Sequence, residues 1–216
     1  MLNFSTPFVT SDNFSLIFTN MSKAGTGFAN NIAPNFYDGA MLANDEEWFT
    51  YGGLVATTDA ASSPGPNWVA KYMQYQSGPE RLFGPGWQIE DTGGNATRYV
   101  SNGAAVSVPS EDLGFYFGGL RASDWKAIDN LPGNASTQST TLIKLDMAIQ
   151  NSETWENKTL PANVAGRANA ELVWVPVSEK GILIAIGGVI NPSFATEIKQ
   201  LNASETADTV SKYDIL

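Results

Sequence analysis

The chain contains no cysteine and no histidine. Without cysteine there are no disulfides, thiol nucleophiles or thiolate metal sites. Without histidine there is no Ser-His-Asp or Cys-His arrangement, no imidazole base, and no imidazole ligand for copper, zinc or haem. Charge is scarce as well: 16% of residues, with acids outnumbering bases 22 to 12 for a net charge of −10. That balance argues against a nucleic-acid backbone or an anionic membrane surface as partner. The longest apolar run, Gly181 to Ile190, is ten residues. A membrane-spanning helix needs about 20, so the run predicts a buried strand. Met1-Leu-Asn-Phe-Ser5 carries no basic or apolar leader pattern, so no signal peptide is expected there.

What the chain does have is glycine (20), proline (11) and aromatics (six Trp, seven Tyr, eleven Phe) within 43% hydrophobic residues. That mix suits many short strands joined by turns. Three strand-like runs reach a Gly-Gly pair: Gly52-Gly53, Gly118-Gly119 and Gly187-Gly188, 66 and 69 residues apart. Self-similarity at a fixed spacing predicts a row of alike units.

Each pair closes one predicted strand: 48–51, 113–117 and 182–186. Another lies ahead of it: 38–42, 102–108 and 170–175. The connectors Asn44-Asp-Glu-Glu47, Pro109-Ser-Glu-Asp112 and Ser178-Glu-Lys-Gly181 have hairpin length and composition. Third strands are expected around 68–72, 142–146 and 210–215, and fourth strands at Trp87 and Trp155. Thr196 to Thr209 is the best helical candidate, with an exposed loop as the alternative. A four-stranded sheet of this size cannot bury both faces alone, so the units must stack.

A strand ending in Gly-Gly, then a spaced Tyr and a Trp, is similar to the kelch motif, one blade of a β-propeller. The stretches Val100-Ser-Asn-Gly-Ala-Ala-Val-Ser-Val-Pro-Ser110 with Gly114-Phe-Tyr-Phe-Gly-Gly119, and Gly166-Arg-Ala-Asn-Ala-Glu-Leu-Val-Trp-Val-Pro-Val177 with Gly187-Gly188, resemble a fungal kelch-repeat protein. The resemblance implies an all-β partial kelch-type propeller of about three four-stranded antiparallel blades. Its divisions are 1–34 as the end of a preceding blade, 35–97 and 98–165 as blades, and 166–216 as an incomplete blade. It further implies an interior piece of a larger propeller, placed outside the cell and membrane-anchored or secreted. The expected role is a non-catalytic interaction module whose partner is a protein or a glycan, with no cofactor. The alternatives are a carbohydrate-active enzyme using loop carboxylates, or an inactive truncated product. Copper-oxidase chemistry of the galactose-oxidase kind would need the histidine and cysteine that are missing.

Seven sequons point the same way. Asn3, Asn13, Asn20, Asn95, Asn134, Asn157 and Asn202 each begin Asn-x-Ser/Thr, against about three expected by chance. The enzyme reading would need two facing carboxylates. The candidates are Asp45, Glu46, Glu47, Glu111, Asp112, Asp124 and Asp129, the first five in turns where solvated acids are ordinary. Arg167 and Glu171, four apart, are expected on one face of a strand as a structural ion pair or a polar patch. Most tryptophans are expected in the core; Trp68 and Trp125, in polar loops, are the candidate binding contacts. Ala24-Gly-Thr-Gly-Phe28 lacks the context of a nucleotide loop.

Overall fold

The computed structural model describes residues 7, 9, 11, 36–55, 67–73, 86–96, 99–122, 135–161, 163–177, 180–190 and 213–215. The helical candidate at 196–209, the loop at 24–28 and the segment 12–34 lie outside them. Among the described residues the chain is all-β, and no helix is long and apolar enough to cross a membrane.

The first sheet runs in the order β1 (Phe36–Ala43), β2 (Glu47–Val55), β3 (Trp68–Met73) and β4 (Gly86–Asp91), each strand antiparallel to the next. Strands β5 (Val100–Ser101) and β6 (Ala104–Val108) follow, then β7 (Leu113–Phe117), β8 (Leu120–Ala122), β9 (Ala135–Gln138), β10 (Thr141–Asp146) and β11 (Thr154–Thr159). Of these, β6, β7, β10 and β11 form the second four-stranded antiparallel sheet. The third sheet has β12 (Glu171–Val175), β13 (Ile182–Ile186) and β14 (Tyr213–Ile215) in that order.

Strands β7 and β13 end at Phe117 and Ile186, immediately before their Gly-Gly pairs as expected, and one expectation needs correction: the first pair does not end its strand. In the first sheet β2 continues through Gly52-Gly53, and Tyr37 still pairs with Leu54. In the second, β7 breaks at Gly118-Gly119 and pairing resumes in a small sheet of β5, β8 and β9, where Ser101 pairs with Leu120. In the third, the Ala168–Val189 bridge occupies the same place. All six glycines have left-handed φ: 69° and 84°, 68° and 87°, 66° and 83°. Two such residues in succession bend the ladder without abolishing it.

Period-2 alternation gives each sheet two faces, and consecutive sheets pack face to face. Leu42, Phe49, Tyr51 and Val69 of the first sheet share a buried cluster with Tyr116, Ile143, Leu145 and Trp155 of the second. Phe49 and Tyr51 both contact the Trp155 indole, edge-on at 5.7 Å and stacked at 5.3 Å. Tyr51 also meets Tyr116 edge-on at 4.9 Å. The opposite face of the second sheet, with Ala104, Phe117 and Leu142, packs on Leu172, Leu183 and Ala185 of the third. Each sheet therefore has a trailing face that meets the leading face of the next.

Backbone bonds join the sheets at matching positions. Asp38, Asn102 and Asn169 each adopt left-handed φ, 54°, 57° and 54°, one just ahead of each first strand's straight portion. The Asn102 N–H donates to the Asp38 carbonyl at 2.9 Å, and the Asn169 N–H to the Asn102 carbonyl at 2.7 Å. Asparagine and aspartate tolerate this conformation better than most side-chain-bearing residues.

Candidate functional site

Asn44 Oδ1 accepts hydrogen bonds from the Glu46 and Glu47 N–H groups, both at 3.0 Å, and closes the β1–β2 turn. That turn delivers Glu47 into β2 on the same face as Phe49 and Tyr51. Glu47 is therefore 2% exposed, not a solvated turn residue as its composition suggests. On β3, directly across from Phe49 and diagonal to Glu47, Lys71 sits between Val69 and Met73 in period, and is 1% exposed. Its Nζ lies 3.0 Å from Glu47 Oε2, and it also donates to the buried carboxylate of Glu153, ahead of β11. Asn151 Oδ1 is 3.5 Å from the same Nζ, and the Phe49 ring centroid 5.5 Å. This is a buried ionic cluster spanning the first and second sheets.

Its electrostatics follow from burial. Desolvation, reinforced by the Glu153 carboxylate, pushes Glu47 up to about 7, against the pull of Lys71. Burial acts on Glu153 too, but hydrogen bonds from Lys71, its own loop backbone and Glu47 hold it below the usual carboxylate range. The physical picture is one proton held mainly on Glu47, with Glu153 as the ion that pairs with Lys71. Glu90, on β4, is likewise raised to about 7, first by burial and then by the Glu153 charge, with Asp91 adding and Lys71 opposing. Perturbed groups of this kind cluster at functional sites and at structural ion pairs alike. Here the Lys71 and Glu47 side chains are each 1% exposed and that of Glu153 is fully buried. What the cluster can do in this setting is fix the two sheets in register and respond to pH. Reaching a substrate would require the sheets to part.

The other candidate acids scatter. Asp45 and Glu46 are exposed in the β1–β2 turn, and Glu111 is exposed in the β6–β7 turn. Asp112 accepts from Asn44 Nδ2 at 2.8 Å, which ties the turn of the first sheet to the matching turn of the second. Asp124 and Asp129 lie outside the described residues. No group of three or more His, Cys, Asp or Glu side chains is placed to hold a metal ion among the described residues.

Arg167 and Glu171 do not share a strand face. The left-handed Asn169 lies between them and breaks the alternation; Arg167 is 3% exposed, while Glu171 opens β12 on the exposed side. Arg167 Nη1 donates to the Gly187 carbonyl at 3.1 Å, and its own carbonyl accepts from the Gly119 N–H at 2.7 Å. It joins the Gly-Gly bend of the second sheet to that of the third.

Trp68 stands at the start of β3 and is 38% exposed; Trp125 lies outside the described residues. Trp48, Tyr72 and Trp87 form a cross-strand aromatic row on the leading face of the first sheet, with Trp48–Trp87 centroids at 4.6 Å and Trp48–Tyr72 at 5.5 Å. Of the sequons, Asn95 is exposed in a turn and Asn157 exposed on β11. Asn3, Asn13, Asn20, Asn134 and Asn202 lie outside the described residues. No family model matches the chain, and no curated protein matches it either.

Proposed function

We propose that this chain is a run of kelch-type propeller blades that serves as a non-catalytic interaction module on the outside of a fungal cell. In this reading the partner, a protein or a glycan, meets the strand-joining loops and the exposed Trp68 indole. The single observation that carries it is the repeated junction: the left-handed Asp38, Asn102 and Asn169 are linked carbonyl to N–H at 2.9 and 2.7 Å. The same bond at the same position of successive sheets is what blades set side by side around an axis would make. A rigid scaffold of this kind carries recognition on its loops. The exposed Asn95 and Asn157 sequons support an extracellular setting.

The carbohydrate-active alternative draws less support. Glu47 is buried and paired with Lys71, whose Nζ lies over the Phe49 ring, and Asp112 is engaged by Asn44. The test pairs a panel of aryl glycosides with an array of fungal wall glycans and the full 216-residue chain. The expected result is no hydrolysis above buffer, and glycan binding that falls at least ~10-fold in Trp68→Ala. Turnover abolished by Glu47→Gln or Glu153→Gln would overturn the reading. So would glycan binding indifferent to Trp68, unless a protein partner competes for that surface.

A further inference from the structure

Among the described residues, the packing series leaves two complementary apolar faces. On the trailing face of the third sheet, Val173 pairs with Ile184, Val175 with Ile182, and Glu171 with Ile186. Five of these six positions are β-branched aliphatics. Val173 is 38% and Ile186 45% exposed, with Val177 and Ile190 at 46% beside them. On the leading face of the first sheet stand Met41, 60% exposed, Thr50, and the row Trp48, Tyr72 and Trp87. Adjacent exposed aliphatics on a sheet face mark an interaction surface more often than scattered ones do.

We infer that the trailing face of the third sheet docks the leading face of the first sheet of a second copy of this chain. The argument is continuity with an interface the chain already forms twice. Counting back from the Gly-Gly pairs, Tyr51, Phe117 and Ile186 are equivalent, as are Phe49, Phe115 and Ile184. Likewise Thr50 corresponds to Tyr116, and strand register places Trp87 where Trp155 stands: Trp48–Tyr72–Trp87 matches Gly114–Leu145–Trp155. Within the chain Phe49 rests on Trp155 and Tyr51 on Tyr116. The same docking between copies puts Ile184 on Trp87 and Ile186 on Thr50. An aliphatic side chain laid on a large indole conserves the apolar character of the contact. The contact is heterologous, one face against a different face, so two copies close on themselves only if the rotation allows and otherwise add further copies. The inference rests on the repeat geometry rather than on the family, so its failure would leave the interaction-module reading to its own test.

The absence of cysteine makes the test direct. Two single-cysteine variants, Ile186→Cys and Thr50→Cys, are mixed and oxidised with oxidised glutathione. The expected product is a disulfide-linked dimer containing one of each, with neither variant linking to itself. Sedimentation of the parent chain from about 1 to about 100 µM should show mass rising with concentration, and Ile186→Lys should weaken association at least ~100-fold. Ser110→Lys, in an exposed turn, should leave it unchanged. A parent chain monomeric throughout that range would overturn the inference. So would Ile186→Cys linking only to itself, or Ile186→Lys associating like the parent while its thermal melt stays cooperative.

Discussion

Glu47 and Glu90 set the pH response of the molecule because burial disfavours their charged forms. Glu47 and Glu90 are raised from 4.5 to about 7 in the folded chain. Below about 4.5 both states carry the proton and the stabilisation from these groups is fully present. As pH rises to about 7 the unfolded chain releases protons that the folded chain retains, so stability falls; above that it is flat. Glu153 is lowered and acts in the opposite sense: its contribution is lost as pH falls through its folded value. The expected stability maximum is therefore acidic, near pH 5, and denaturant melts at a series of pH values check it. Glu47→Gln should remove part of the slope and gain up to about 3 kcal/mol relative to the parent at pH 8. Lys71→Met should cost about 3–5 kcal/mol, because it strands buried carboxylates. If both variants tracked the parent at every pH, the cluster would carry no energetic weight. A backbone test belongs beside these. Gly118 has φ +68°, and an added Cβ would lie 2.3 Å from the Arg167 carbonyl oxygen. Gly118→Ala should lower stability by at least ~2 kcal/mol in the same melts, from left-handed strain and the forced separation of two sheets.

At the level of elements, the hairpins were readable from the chain and the bends were not. Alternating apolar residues, the Asn44 and Pro109 turns and the Gly-Gly pairs located β1–β2, β6–β7 and β12–β13, because each signal is local. The small sheet of β5, β8 and β9 carries no local sequence signal. Val100–Ser101 is two residues long and shows no period, and continuity past Gly118-Gly119 is carried by backbone pairing rather than by side chains. Glu47 was misread for a related reason. Its neighbours Asn44-Asp45-Glu46 make a turn, yet Glu47, Phe49 and Tyr51 alternate correctly for one buried face. Lys71 between Val69 and Met73 was the matching signal on β3. What no pattern local to β2 or β3 could supply was Glu153, since it reaches the cluster from the loop ahead of β11 in the second sheet. Trp155 joins the same two sheets through both Phe49 and Tyr51. Trp155→Ala should cost about 3–5 kcal/mol, at the level of a buried large-to-small change. Trp155→Phe should recover a good part of that in a urea melt, since the edge and stacking contacts need a ring and not the indole N–H.

Across the whole molecule the two junctions differ in kind, and that difference can be read out separately. The first and second sheets meet through an ionic cluster set in aromatics, whereas the second and third meet through uncharged apolar packing around Phe117, fastened at the Gly-Gly bends by Arg167. In stacked units stability is close to a sum of unit and nearest-neighbour terms, so a condition that weakens one junction need not weaken the other. Raising the pH from about 5 to about 8 ionises Glu47 and Glu90 around one Lys71 and loads only the first junction. Hydrogen exchange, corrected for intrinsic rates, should show protection falling at β2 and β3 while β12 and β13 hold theirs. A uniform loss across all sheets would mean that the chain opens as one cooperative unit. In that case pH would act on global stability rather than at a junction. Glu47→Gln supplies the decisive contrast: if the first junction is the sensor, this variant should keep β2 and β3 protected at pH 8 and change nothing in β12 and β13.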